Sequence, residues 1–338
     1  MLIKRYRILE HGDESVLRLE EAPAPQPAAG QVLVRHTAVG VNFIDIYHRK
    51  GLYPLELPSG IGQEAAGIVE AVGSGVSRWK EGDRVGYCQG AMGAYAEANL
   101  VAADRLIALP DFVSDEQAAA VLLKGLTAAY LLHHTFPVKA GQTLLWHAAA
   151  GGVGLLACQW ANKLGARVIG TVGSAEKAEL AKARGCSEII LYREEPVAPR
   201  VRALTKGEGV PVVYDSVGKD TFAASLDSLA PRGLLVSFGN ASGAVPDFSP
   251  LLLAQKGSLF LTRPTLAHYA RTPDELQGLA ELLFEAIRKG WLQVDIHQRY
   301  RLSEAPLAQR DLAARQTLGS SILLPDQALA NTNADNGV

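Results

Sequence analysis

Two rhythms of apolar residues divide the chain. Up to about residue 120 the apolar runs are short, at 32–34, 68–72 and 84–87, and Gly and Pro interrupt them at close intervals. That spacing predicts a small β-rich, barrel-like domain. Residues 22–30, which carry Pro23, Pro25 and Pro27, read as an extended loop. From Thr143 the rhythm changes. Residues 143–148 read as a buried strand and a glycine turn follows. Then Val153, Leu156, Ala157, Trp160, Ala161 and Leu164 recur at helical spacing until Gly165. Arg167–Val172 is the next expected strand, 175–184 the next helix with Gly185 after it, and Glu188–Leu191 the next strand. Apolar runs at 210–216 and 234–238 continue the alternation. Strand–helix–strand units of this length imply a parallel sheet with right-handed crossovers. After a strand at 258–262 the pattern breaks at Pro264. A strong helix follows, with Thr272 as N-cap, Pro273 at its first position and Glu275 completing a capping box. Leu276, Leu279, Ala280, Leu283 and Ile287 form its apolar face, and Gly290 ends it. The expected class is α/β. A β-rich domain (1–125) precedes a doubly wound one (126–263), and 264–325 returns to the first. Residues 326–338 have few apolar side chains and are expected to be disordered.

The junction after residue 148 carries chemistry. Ala149-Ala150-Gly151-Gly152-Val153-Gly154 runs from strand directly into helix, an A-x-G-x-x-G form of the dinucleotide fingerprint. Gly151 lets backbone approach a pyrophosphate, and Gly154 lets helix and strand pack closely. The N–H groups and positive dipole at the helix start receive the anion. A site for NAD carries Asp or Glu at the end of the second strand, to bind the ribose 2′-hydroxyl. Here that place holds Gly173 and Ser174, followed by Lys177. A 2′-phosphate is not repelled and Lys177 can pair with it, while Tyr192, after the third strand, adds a hydroxyl. The expected cofactor is NADPH. Lys177 as an ordinary solvated lysine is the alternative.

Composition narrows the classes. The 338 residues are 48% hydrophobic and 20% charged, with a formal net charge of −2, so nothing marks a nucleic-acid partner. Residues 140–162 contain no charged side chain and tempt a membrane reading. Their middle, Ala-Ala-Ala-Gly-Gly-Val-Gly, fits a buried strand, turn and helix better. The N-terminus has no apolar signal-peptide core. Cys88, Cys158 and Cys186 stand far apart, which suits buried thiols in a reducing, cytoplasmic setting rather than a disulfide or metal knuckle.

Several segments resemble the medium-chain dehydrogenase/reductase superfamily: residues 39–47, Gly51-Leu-Tyr-Pro54, Gly62-Gln-Glu-Ala-Ala-Gly67 and Gly82-Asp-Arg-Val85. His147-Ala-Ala-Ala-Gly-Gly-Val-Gly154, Val213-Tyr-Asp-Ser-Val-Gly218 and Phe238-Gly-Asn240 narrow the likeness to its zinc-free NADPH:quinone oxidoreductase branch, the zeta-crystallin-like one. Leu123-Lys-Gly-Leu-Thr127 and Thr262-Arg-Pro264 bring it near the bacterial members. The resemblance covers about residues 1–325. It implies a GroES-like catalytic domain, an inserted Rossmann domain, and a cleft between them for nicotinamide and substrate.

Where zinc-dependent members place Cys and His, this chain has Asn42 and Gln63. An amide oxygen is a poor zinc ligand, and the four-cysteine structural lobe is missing. The resemblance therefore implies no metal, and a substrate that needs no Lewis acid. A quinone qualifies, because its reduction restores aromaticity. Asn42 is expected near the nicotinamide and Tyr47 at the substrate pocket, with Lys124, Thr127 and Tyr130 on the wall between domains. Gly152 and Val153 would meet the pyrophosphate, and Gly173, Ser174, Lys177 and Tyr192 the 2′-phosphate ribose. Ser216, Phe238, Gly239, Asn240, Thr262 and Arg263 would hold the nicotinamide side, with Arg315 reaching in from the C-terminal segment. Tyr47, Arg263 and Asn42 are the expected catalytic residues. Phe238 and Tyr130 also read as core aromatics, and Asp45 and Glu64 as structural carboxylates. No His stands in a motif with acid–base duty, and His133-His134 reads as surface. A homodimer is implied too, since in relatives a strand like 258–262 pairs across a dimer axis. Two alternatives stay open: an enone or alkenal reductase, and a cofactor-loaded binding or crystallin-like protein.

Overall fold

The computed structural model describes residues 1–326, which form two compact units. One holds Met1–Leu123, Thr272–Ala280 and residues 294–326; the other holds Lys124–Arg271 and Glu281–Gln293. Sequence reading set the boundaries at 125/126 and 263/264. The division falls after Leu123, and residues 264–271 and 281–293 group with the second unit.

The first unit is built on the long strand Gln31–Val41. It pairs antiparallel with Glu64–Val72, Ala98–Ala102 and Ser320–Leu324 in a seven-stranded sheet. Val32, Val34, Val39, Val41, Val69, Val85, Tyr87 and Leu323 fill its core. One reading of this half needs correction. Ala22 and Pro23 end the strand Arg18–Pro23, opposite Ile3 and Leu2, rather than opening a loop. Proline is tolerated there because that strand is the edge of a three-stranded sheet. The β-rich half also holds the helix Phe43–Arg49 and the start of Asp115–Tyr130.

The second unit contains six strands: β1 (Thr143–Trp146), β2 (Arg167–Val172), β3 (Glu188–Leu191), β4 (Val210–Asp215), β5 (Leu229–Ser237) and β6 (Phe260–Thr262). All their pairings are parallel, in the order β3-β2-β1-β4-β5-β6. That is the doubly wound dinucleotide-binding arrangement, with its switch point between β1 and β4. Leu145, Ile169, Ile190, Val213 and Leu235 supply one core from the strands. β5 starts at Leu229, five residues before the expected 234. Pro231, Arg232 (φ 61°) and Gly233 interrupt its apolar pattern and hid that start.

Residues 140–162 resolve into β1, a glycine turn and the helix Gly152–Lys163. Among the described residues no helix is long and apolar enough to cross a membrane. The capping box at Thr272 forms as read: Glu275 N donates to Thr272 Oγ1 at 3.2 Å, and Thr272 N to Glu275 Oε2 at 2.9 Å. All three cysteines are buried. Of the tail expected to be disordered, Asp326 pairs with Lys4 at 3.0 Å, and 327–338 lie outside the described residues.

Candidate functional site

At the carboxyl edge of the second unit's sheet, β1 hands over to the helix Gly152–Lys163 through Gly151, its N-cap. No side chain caps this helix start and no acidic residue stands in its first turn, so its dipole and N–H groups face an anion unopposed. Gly154 is obligatory: a Cβ there would collide with the carbonyl oxygen of Ala148 and lie 2.8 Å from that of Ala149. One strand over, β2 ends and Ser174 caps the helix Ala175–Ala183, its Oγ accepting from Lys177 N at 3.4 Å. Tyr192 follows β3 and lays its phenol over Gly173, where a Cβ would sit 2.6 Å from the Tyr192 oxygen. The fold thus gathers Gly173, Ser174, Lys177 and Tyr192 at the ends of two neighbouring strands.

Across the switch point, Ser216 follows β4, Phe238 follows β5 and Arg263 follows β6. Gly239 packs so tightly on Ser216 that a Cβ would lie 2.5 Å from the Ser216 carbonyl oxygen. Ala241 N donates to Ser216 O at 3.2 Å and Ser242 N to Val217 O at 2.8 Å, which binds the two loops together. Asn240 packs on Gly218, where a Cβ would lie 3.3 Å from the Asn240 Cα. Arg263 Nη1 donates to Ser237 O at 2.9 Å, and the Phe238 ring centre is 5.6 Å from that of Trp146.

Beneath these loops lies a polar chain that the sequence reading missed. Ser225 Oγ donates to Asp215 Oδ2 at 2.7 Å and is 3.0 Å from His147 Nε2, while His147 Nδ1 is 3.0 Å from Thr171 Oγ1. All four residues are buried. Burial lowers the His147 pKa below the ordinary histidine value, against a smaller opposing pull from Asp215.

In the first unit Asn42 precedes the helix Phe43–Arg49 and donates through Nδ2 to Glu64 Oε2 at 2.7 Å. Glu64 Oε1 accepts from Leu123 N at 2.6 Å, and Asp45 Oδ2 accepts from Asn42 N at 2.9 Å and from the Tyr95 hydroxyl at 3.0 Å. Both carboxylates therefore hold structure as the sequence suggested. Tyr47 is buried, with ring centres of Tyr53 at 5.1 Å and Phe43 at 6.2 Å, forming an aromatic wall. A second feature escaped the sequence: His48 Nε2 lies 2.8 Å from Gln63 Nε2, and burial lowers the His48 pKa. No signature links two residues fifteen apart, one in a helix and one in the loop before a strand, so only the fold reveals the pair.

Lys124, Thr127 and Tyr130 share one face of the helix Asp115–Tyr130. Lys124 is buried and Tyr130 stacks on Tyr269 at 4.5 Å. Thr262 is the last residue of β6, and Arg315 is exposed just beyond the helix Ala305–Ala313, with φ 59°. The surface reading of His133-His134 is half corrected. His134 is exposed, but the π-turn Leu131–Thr135 sets His133 edge-on against Trp160, ring centres 5.1 Å apart. Among the described residues no group of three or more His, Cys, Asp or Glu is placed to hold a metal ion.

Comparison with known proteins agrees with this architecture. Residues 28–111 match the alcohol dehydrogenase GroES-like domain, and residues 152–285 the family described as zinc-binding dehydrogenase. A quinone oxidoreductase of Pseudomonas aeruginosa is 54% identical over 325 residues, covering 96% of this chain and all of the relative. A 2-haloacrylate reductase of a Burkholderia species is 45% identical, covering 90% of this chain and 94% of its own. The crystal structure of Escherichia coli quinone oxidoreductase complexed with NADPH superimposes with a TM-score of 0.94 at 50% identity, covering 95% of this chain and all of that one. By these likenesses, spread over nearly its whole length, the chain belongs to the quinone oxidoreductase family of the medium-chain dehydrogenase/reductase superfamily.

Proposed function

We propose that the protein reduces quinones with NADPH by direct hydride transfer and without a metal. The observation that carries this reading is the carboxyl edge of the second unit. An uncapped helix start beside Gly151 suits a pyrophosphate, and Gly173, Ser174, Lys177 and Tyr192 offer a 2′-phosphate a cradle with no carboxylate among the four, Glu176 of the same turn being exposed. These residues fit NADPH, as does the NADPH complex of the Escherichia coli relative. NADPH, when bound, supplies the hydride. The chain's own part is placement. Gly152 and Val153 offer backbone N–H groups to the pyrophosphate, and Ser216, Phe238, Gly239, Asn240 and Thr262 shape the nicotinamide side. Arg263, held by its bond to Ser237 O, provides positive charge for a developing oxyanion. In the first unit Asn42 is fixed by Glu64, and the wall of Tyr47, Tyr53 and Phe43 suits a flat ring, with Tyr47 or water as proton source. Lys124, Thr127, Tyr130 and Arg315 complete the proposed contacts. The protein acts in the cytoplasm as a homodimer, without nucleic acid or membrane as partner.

Asn42 and Gln63 supply no thiolate or imidazole for zinc, and a quinone needs no Lewis acid. The test is steady-state turnover with NADPH and 1,4-benzoquinone, before and after exhaustive chelation. Turnover that survives chelation supports the reading. Activity lost to the chelator and restored by zinc overturns it. A second reading, reduction of a conjugated C=C, is favoured by the 45% identical 2-haloacrylate reductase. Much higher kcat/KM for alkenals than for any quinone would select it.

A further inference from the structure

The buried chain of Thr171, His147, Ser225 and Asp215 has only one consistent direction. An ionised carboxylate accepts and cannot donate, so the single hydroxyl hydrogen of Ser225 goes to Asp215 Oδ2, 2.7 Å away. Ser225 Oγ must then accept from His147 Nε2–H at 3.0 Å. Burial keeps the imidazole neutral, so Nδ1 carries no hydrogen and accepts from the Thr171 hydroxyl at 3.0 Å. Each donor and acceptor along the path is used.

The two ends of this chain reach different halves of the proposed nucleotide site. Thr171 lies in β2, two residues before Gly173. Asp215 ends β4; its Oδ1 accepts from Val217 N at 2.8 Å and Gly218 N at 3.0 Å, and the Thr221 hydroxyl lies 2.8 Å from Oδ1 and 2.7 Å from Oδ2. The loop it secures is bonded in turn to the loop of Phe238, Gly239 and Asn240, through Ala241 N, Ser242 N and the 3.1 Å bond from Lys219 N to Gly243 O. Phe238 N also donates to Asp215 O at 2.8 Å. Both nicotinamide-side loops therefore hang on one aspartate, and the histidine braces that aspartate through a serine.

We infer that His147 and Ser225 are positioning residues for the nicotinamide half of NADPH, acting through Asp215. The inference rests on the NADPH reading above. Ser225→Ala removes the hydroxyl that joins His147 to Asp215 and leaves the Thr171 arm intact. Loss of positioning should therefore touch one half of the cofactor and spare the other.

The test uses the purified full chain and two probes: NADPH, by fluorescence titration, and adenosine 2′,5′-bisphosphate, by calorimetry. Ser225→Ala should raise the Kd for NADPH about tenfold, the scale of one charge-assisted hydrogen bond. The Kd for the bisphosphate should stay within about twofold. His147→Gln keeps an N–H donor for Ser225 and should hold NADPH affinity nearer the wild type than His147→Phe. Equal losses for both ligands, or none for NADPH, overturn the inference while leaving the NADPH reading in place. A wild type that binds neither ligand overturns both. Independently of any variant, nitrogen NMR of histidine-labelled protein should find His147 protonated at Nε2 and bare at Nδ1. The opposite tautomer breaks the chain.

Discussion

A Cβ at position 173 would lie 2.6 Å from the Tyr192 hydroxyl oxygen, the far end of a side chain that is 41% exposed and free to swing aside. Gly173→Asp should therefore fold, and it places a carboxylate where the proposed 2′-phosphate sits. Repulsion and the loss of a charge-assisted contact together should cut kcat/KM for NADPH about 10²-fold and move the preference toward NADH. Kinetics with both cofactors check this; an unchanged preference would mean that this loop does not read the phosphate. Tyr47 bears on the substrate in the same way. A quinol anion is a weak base that water can protonate, whereas the enolate from a conjugated alkene reduction must be trapped by a placed acid. Tyr47→Phe keeps the ring contacts with Tyr53 and Phe43 and removes only the hydroxyl. With benzoquinone the variant should stay within about tenfold of wild type, since a positioned general acid is usually worth about 10²–10⁴. A severe loss would favour the alkene reading.

At the level of elements, legibility followed the range of the signal. β2 and β3 begin and end where the sequence placed them, because each is a short run dominated by apolar residues, Val168, Ile169 and Val172 in one and Ile189, Ile190 and Leu191 in the other. The helix Pro273–Arg288 was equally clear, since a capping box is written within four residues. The helix Phe43–Arg49 was not. Seven residues hold too few turns to show a period, and its strongest feature is the bond from Asn42 N to Asp45. In the nucleotide unit the glycine turn and the cradle residues could be read because strand ends and helix starts adjoin in sequence. The brace from Thr171 through His147 and Ser225 to Asp215 could not, because one of its contacts spans 78 residues and depends on how β1, β2 and β4 align. The pairing of His48 with Gln63 was hidden for the same reason.

For the whole molecule, acid should erode stability well before the carboxylates titrate. His36 is fully buried, its Nδ1 2.7 Å from Ala96 O and its Nε2 2.9 Å from the Tyr87 hydroxyl, and burial pushes its pKa down to about 4. The unfolded chain, with an ordinary value near 6.5, takes up a proton in that window which the folded chain refuses. The contribution is present above pH 6.5 and is lost as pH falls toward 4. At pH 5 it amounts to about 2 kcal/mol less than at pH 7.5, and His147 acts in the same direction. Urea unfolding at the two pH values checks this, and equal midpoints would refute it. Assembly is the remaining property at this scale. β6 is the last strand of its sheet, so its outer edge has no partner strand within the described chain. Phe260 is 61% exposed and Leu261 36%, and side chains of successive strand residues point to opposite faces, so both faces of this edge are apolar and uncovered. An apolar open edge of that kind offers its unpaired backbone groups to another strand, and a second copy of β6 across a twofold axis closes both edges at once. Light scattering at micromolar concentration should therefore give twice the 36.0 kDa chain mass. Placing charge on both faces with Phe260→Lys and Leu261→Lys should reduce it to the monomer mass while the far-ultraviolet dichroism stays the same. A monomeric wild type would sink the assignment, and a double variant that remains dimeric would move the interface away from β6.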